Sequence, residues 1–130
     1  MPRCGTRLSA MGSSPMRRGE IRRVDLEPVR GEEPNKRRPA VIVSNDGANR
    51  RATLLERGVL QIVPFTTNIS HIHPFHVLIP ASESGLRADS KAQAEQVGAV
   101  TFERVGELLG RVPPHLMAQI DEALRIQLAL

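Results

Sequence analysis

Arginine is the residue type in this sequence that best suits chemistry on a polyanion, and it is unevenly placed. Arg17, Arg18, Arg22, Arg23, Arg30, Lys36, Arg37, Arg38, Arg50 and Arg51 fall in the first part of the chain. Glu83, Asp89, Glu95, Glu103, Glu107, Asp121 and Glu122 gather later. A clustered basic patch is the electrostatic footprint of a polyanion partner. A solvated, solubilising surface is the plainer reading, and charge alone does not separate the two. Arg38 stands just before the apolar run Pro39 to Ser44. That strand would give a rigid mount to a guanidinium, whose planar fork of donors matches phosphate oxygens. His71, His73 and His76 form a second group. His71-Ile72-His73 could set two imidazoles on one strand face for a metal, and imidazole titrates near neutrality, which suits acid–base work. No Cys/His/Asp cluster with ligand spacing accompanies them, so no metal site and no cofactor is expected.

The elements that would position these groups are mostly strands. Ile21 to Leu26 reads as the first, and Pro28 to Asn35 as a loop rich in Pro, Gly and charge. Pro39 to Ser44 is a near-continuous β-branched run, hence a buried strand, which Asn45-Asp46-Gly47 stops with turn chemistry. Val59 to Phe65 is a third strand, with Pro64 marking where pairing ends or bulges. Phe75 to Ile79 alternates, with Phe75, Val77 and Ile79 on one face. Lys91 to Val97 (KAQAEQV) has helix-favouring residues in a strand-rich context, and both readings stay open. Leu108 to Val112 is a final strand. Pro114 then opens a helix whose stripe is Leu116, Ile120, Ala123, Leu124 and Leu128, with Asp121 and Arg125 one turn apart on the exposed side. That helix should lie on a sheet or on a partner.

At 130 residues the chain is one domain with a modest core. Aromatics are 2% (Phe65, Phe75 and Phe102), so the core must rest on Val, Ile and Leu. The one cysteine, Cys4, allows no internal disulfide and fits a reducing, cytoplasmic compartment. No apolar run is long enough to span a membrane, and the N-terminus lacks the continuous apolar segment of a secretory signal. Residues 1–15 are rich in Gly, Ser and Pro without acid or period. They read as a disordered leader or an upstream start, with the domain at 16–130.

Three segments together resemble the MazF/PemK (Kid-like) toxins of type II toxin–antitoxin systems. The first is Gly19-Glu20-Ile21 with Val24-Asp25-Leu26, Pro28 and Gly31-Glu32-Glu33. The second is Arg38-Pro39-Ala40-Val41-Ile42-Val43-Ser44-Asn45-Asp46 with Asn49, and the third is Val63-Pro64-Phe65-Thr66-Thr67-Asn68 with Pro74-Phe75 and Val77. Weaker agreement runs through Asp89-Ser90, Glu95-Gln96 and the closing helix, so the resemblance covers 16–130. It implies a mainly β (β-rich α+β) fold, a small SH3-like barrel of the CcdB/PemK type with a C-terminal helix, in a homodimer. It also implies a sequence-specific endoribonuclease toxin acting on single-stranded RNA and held by a cognate MazE-like antitoxin.

The resemblance assigns roles residue by residue. Arg38 is the essential arginine and Thr66 the catalytic hydroxyl, where the plainer readings are a strand-edge arginine and a cross-strand packing threonine. Glu33 matches an acid proposed as general base, although a carboxylate beside Lys36 and Arg37 should have a lowered pKa, which makes it a poor base near neutrality. Lys36, Arg37, Thr67, Asn68, His71, His73 and Gln96 would contact RNA, and Asp25 would be a structural acid near the site. Two departures stand out: Arg22 replaces an aromatic common in relatives, and KAQAEQV is more polar than the usual strand. The competing readings are a CcdB-like gyrase-inhibiting toxin that cuts nothing, and a non-catalytic RNA-binding barrel.

Overall fold

A computed structural model describes residues 15–26 and 37–130. Glu33 and Lys36 lie outside the described residues, as does nearly all of the leader. The elements are β1 (Glu20–Asp25), β2 (Arg37–Ile42), α1 (Asp46–Leu55), β3 (Val59–Thr66), β4 (His76–Ile79), α2 (Ala81–Ser84), β5 (Ser90–Gln93), β6 (Gly98–Thr101), β7 (Val105–Arg111) and α3 (Pro114–Leu128). The strands form an antiparallel sheet in the order β4-β5-β3-β2-β1-β7, with β6 also beside β3. Ile62 pairs with Ile42 on one edge of β3 and with Gly98 on the other, and β5 takes over from β6 at Phe65 and Thr66.

Both faces of this sheet are apolar, which its alternation explains. On one face Ile21, Val41, Val63, Phe65, Val77 and Ile79 pack against Leu116, Ile120 and Ala123 of α3. On the other, Val24, Ala40, Ile42, Leu60, Ile62, Val100 and Val105 close around Ala52 and Met16. The helix stripe thus lies on the chain's own sheet, with Ile126 and Leu128 left exposed at its end. Asp121 pairs with Arg18 rather than Arg125, because the helix face carrying it turns toward the segment before β1. Arg125 takes Glu122 instead, at 3.2 Å.

One local expectation is revised and one open reading is resolved. Asn45-Asp46-Gly47 does not make a plain turn. Asn45 caps α1, its side chain accepting from the Ala48 backbone N–H at 2.8 Å. The residue types that favour turns are also those that favour helix caps, and α1 buries only Asn49 and Ala52, too little for a readable apolar stripe. KAQAEQV divides: β5 ends at Gln93 and a 3₁₀ turn covers Ala94–Gln96.

Candidate nucleic-acid interface

The site begins with strand register. Ala40 faces Pro64, Val41 faces Val63 and Ile42 faces Ile62 across β2 and β3. Arg38 and Thr66 each lie two residues beyond the Ala40–Pro64 pair, and alternation puts both side chains on the same face of the sheet. Thr66 in turn pairs with Lys91 of β5, and Arg38 pairs with Val24 of β1. Two cross-strand pairs, Val24 with Arg38 and Thr66 with Lys91, therefore share that face. Arg38 also lines a pocket of about 270 Å³ with Leu26, Ile62, Pro64, Gln96 and Val100, so Gln96 joins it there. The Thr66 Oγ1 accepts from the Asn68 backbone N–H at 3.2 Å, and its own O–H has no acceptor among the described residues.

The other sequence-derived residues divide by face. Arg37 and Asp25 are cross-strand partners on the face away from Arg38, and line a pocket of about 200 Å³ with Arg23, Glu103 and Arg104. Asp25 Oδ1 is buried with no hydrogen-bond partner among the described residues. Thr67 lies apart from Thr66, in a pocket of about 420 Å³ with Arg23, Pro39, Arg87 and Ser90. Asn68, His71 and His73 are exposed on the connection between β3 and β4. His71 and His73 are thus on a loop and not on one strand face. The His73 ring stacks on Phe75, with centroids 5.2 Å apart. His76 is buried: its Nδ1 accepts from the His73 backbone N–H at 3.1 Å, so Nε2 carries the proton toward Glu95 at 3.3 Å. Among the described residues, no three His, Cys, Asp or Glu side chains gather as metal ligands would.

Two arginines of the basic cluster are consumed structurally. Arg18 pairs with Asp121 and donates to the Val43 carbonyl at 2.9 Å. Arg22 is held by the buried Glu20 at 2.9 Å and by the Gly106 carbonyl at 3.0 Å, a braced position in place of an aromatic wall. Lys91, the cross-strand partner of Thr66, joins the surroundings of the site without having been singled out in the sequence. The lysine's only signal was a long cation inside the ambiguous segment.

A curled antiparallel barrel that mounts an arginine and a hydroxyl on one face, each at a strand end, carries groups suited to a phosphodiester. Comparison with known proteins makes this specific. The family described as PemK-like, MazF-like toxin of type II toxin-antitoxin system matches residues 17–128. Endoribonuclease MazF9 of Mycobacterium tuberculosis is 54% identical over 115 residues, which is 88% of this chain and 98% of that protein. Endoribonuclease EndoA of Bacillus subtilis is 31% identical over 116 residues, 88% of this chain and 96% of that protein. A mycobacterial endoribonuclease solved in complex with its cognate antitoxin superposes with a TM-score of 0.69 at 28% identity, covering 88% of this chain and 95% of that one. The chain belongs to the PemK-like, MazF-like family of type II toxins, and it is an endoribonuclease of that family rather than a gyrase inhibitor.

Proposed function

We propose that this chain cuts single-stranded RNA at a preferred sequence, by attack of the RNA's own 2′-hydroxyl on the adjacent phosphorus. The observation that carries this reading is that Arg38, which lines a pocket, and the Thr66 hydroxyl lie on one face of the sheet, each two residues beyond the Ala40–Pro64 pair. The 2′-oxygen forms a bond to phosphorus as its proton leaves to a base, and the bond from phosphorus to the 5′-oxygen breaks as that oxygen takes up a proton. Arg38 stabilises the charge that accumulates on the phosphorane oxygens, and Thr66 donates to one of them and fixes the nucleotide. Glu33 is the proposed base, Asp25 a structural acid nearby, and Lys36, Arg37, Thr67, Asn68, His71, His73 and Gln96 the RNA contacts. No step calls for a bound ion.

The products test this directly. Cleavage should persist in EDTA and leave a 2′,3′-cyclic phosphate, or the 3′-phosphate from its opening, and a 5′-hydroxyl. An RNA with 2′-deoxyribose just before the scissile phosphate should bind and stay whole. A 5′-phosphate on the downstream fragment, or efficient cutting of the deoxy substrate, would rule the mechanism out. The protein works as a cytoplasmic homodimer, and a cognate antitoxin with an acidic, partly disordered tail silences it by covering the basic strand end that carries Arg37 and Arg38. Inhibitor and RNA should then compete. Simultaneous binding of both would refute that part of the reading, and a monomer in sedimentation at micromolar concentration would refute the dimer.

A further inference from the structure

Among the described residues Lys91 is the one lysine or arginine that is buried, 8% exposed. Burying an ammonium costs free energy unless its donors are met, and an aliphatic residue would fill a strand position without that cost. No carboxylate among the described residues pairs with it. Its Nζ instead donates to the backbone carbonyl of His71 at 2.6 Å. Packing alone does not explain this choice of residue, but position does. Lys91 is the cross-strand partner of Thr66, and its tether lands in the middle of the connection that leaves Thr66.

That connection is otherwise held by short-range ties. Asn68 Oδ1 accepts from the backbone and hydroxyl of Ser70 at 3.3 and 2.7 Å, and the His73 N–H reaches His76. Among the described residues, the Lys91 bond is the side-chain tie that joins residues 67–73 to a strand other than the two they connect, β5. The same residues present Ile69 and Ile72 outward, 36% and 48% exposed, beside Asn68, His71 and His73. An exposed set of amide, imidazole and aliphatic groups on a braced loop is suited to hydrogen-bonding base edges and covering base faces of a splayed single strand.

We propose that Lys91 is a positioning residue for RNA recognition: its ammonium fixes the His71 carbonyl and so holds residues 67–73 in the shape that reads the bases next to the cut. This rests on the nuclease reading above. The test compares the full chain with Lys91→Met, which keeps the alkyl stem, and Lys91→Arg, which keeps the cation. Cleavage of a short RNA carrying the cut sequence, and of one with a flanking base changed, is followed beside amide hydrogen exchange over 67–73. For Lys91→Met the KM should rise about tenfold and the preference between the two RNAs fall by about as much, the effect of one lost charge-assisted hydrogen bond, while kcat stays within about threefold. Exchange over 67–73 should quicken, and Lys91→Arg should restore all three readouts. Unchanged exchange would show that there is no tether. Faster exchange with unchanged KM and preference would show that the loop does not read RNA. A fall in kcat alone would put Lys91 at the reacting phosphate instead. Should the wild-type chain cut no RNA, the nuclease reading fails while exchange still decides the tether. Should Lys91→Met not fold, Lys91→Gln and Lys91→Arg decide by the same measurements.

Discussion

The two ends of β2 are built on opposite principles. At its C-terminal end nearly every polar group is satisfied internally. The Ser44 hydroxyl donates to Asn49 Oδ1 at 2.5 Å and accepts from the Gln61 N–H at 3.2 Å, and Asn49 Nδ2 donates to the Ser44 carbonyl at 2.8 Å. Asn45 caps α1, and Asp46 accepts from the Arg18 N–H at 2.7 Å. At the N-terminal end Arg38 opens onto a pocket, and the Thr66 O–H has no acceptor among the described residues. Yet both ends belong to one unbroken motif, Arg38 to Asp46 with Asn49. Most of that motif makes the fold, while Arg38 at its start opens onto a pocket, and burial and the hydrogen-bond inventory tell the two apart.

Substitutions at the two ends should therefore separate activity from stability. Arg38→Ala should raise the cleavage barrier by about 2–4 kcal/mol, the loss of one preorganised charge-stabilising donor, with the melting temperature little changed. Arg38→Lys should recover little, since a point charge lacks the planar fork. Single-turnover rates beside thermal melts check both. An Arg38→Ala protein that cuts RNA normally would make the open end as structural as the closed one. Thr66→Val should cost about 1.5–3 kcal/mol in the same barrier, as for a hydrogen bond to a charged group, and Thr67→Val much less, because Thr67 lines a different pocket. Equal losses at the two threonines would remove the distinction between the faces.

The closed end should show the reverse. Asn49 is fully buried, and its truncation strands Ser44. Asn49→Ala should lower stability by about 1–3 kcal/mol and leave kcat per folded molecule unchanged. Denaturant melts paired with active-site-normalised rates would decide, and a selective loss of kcat would count against the division drawn here.

How far this could be read from the sequence follows from what each residue's role depends on. The strands around Val41, Val63 and Val77 and the helix from Pro114 were legible because burial imposes a period of two or of 3.6 on residue type. Arg38 and Thr66 stand out as candidates through their place in a recognisable motif, but that they share a face follows from register, which long-range pairing sets. The same dependence hid the fate of Arg18 and Arg22. Their carboxylates, Asp121 and Glu20, are assigned by tertiary packing, so charge counting overstated the free basic surface. Capping hid α1, since Asn45, Asp46 and Gly47 suit a turn equally well. Lys91 was invisible because burial of a lysine has no signature in its neighbours.

The smallest expected effect lies at the closed end and depends on pH. The Asp46 carboxyl is held below the ordinary aspartate range, first by the Arg18 backbone N–H and then by the Asn49 side chain and the charges of Arg17 and Arg18, with burial opposing. A depressed folded pKa means that the ionised form is the one the fold prefers. Its contribution is complete above the unfolded value, near 4 for aspartate (roughly), and is lost as pH falls through the lower folded value. Asp46→Asn keeps an oxygen that can accept from Arg18 but never carries the charge. At neutral pH the variant should be less stable than wild type by about 1 kcal/mol or less, since the carboxylate is exposed and screened. That gap should narrow below about pH 4 and close once the wild-type carboxyl is itself protonated, with cleavage unaffected throughout. Melts of the two proteins at neutral and acid pH measure it. A gap independent of pH would mean that Asp46 acts only through its shape, and the closed end would then owe nothing to charge.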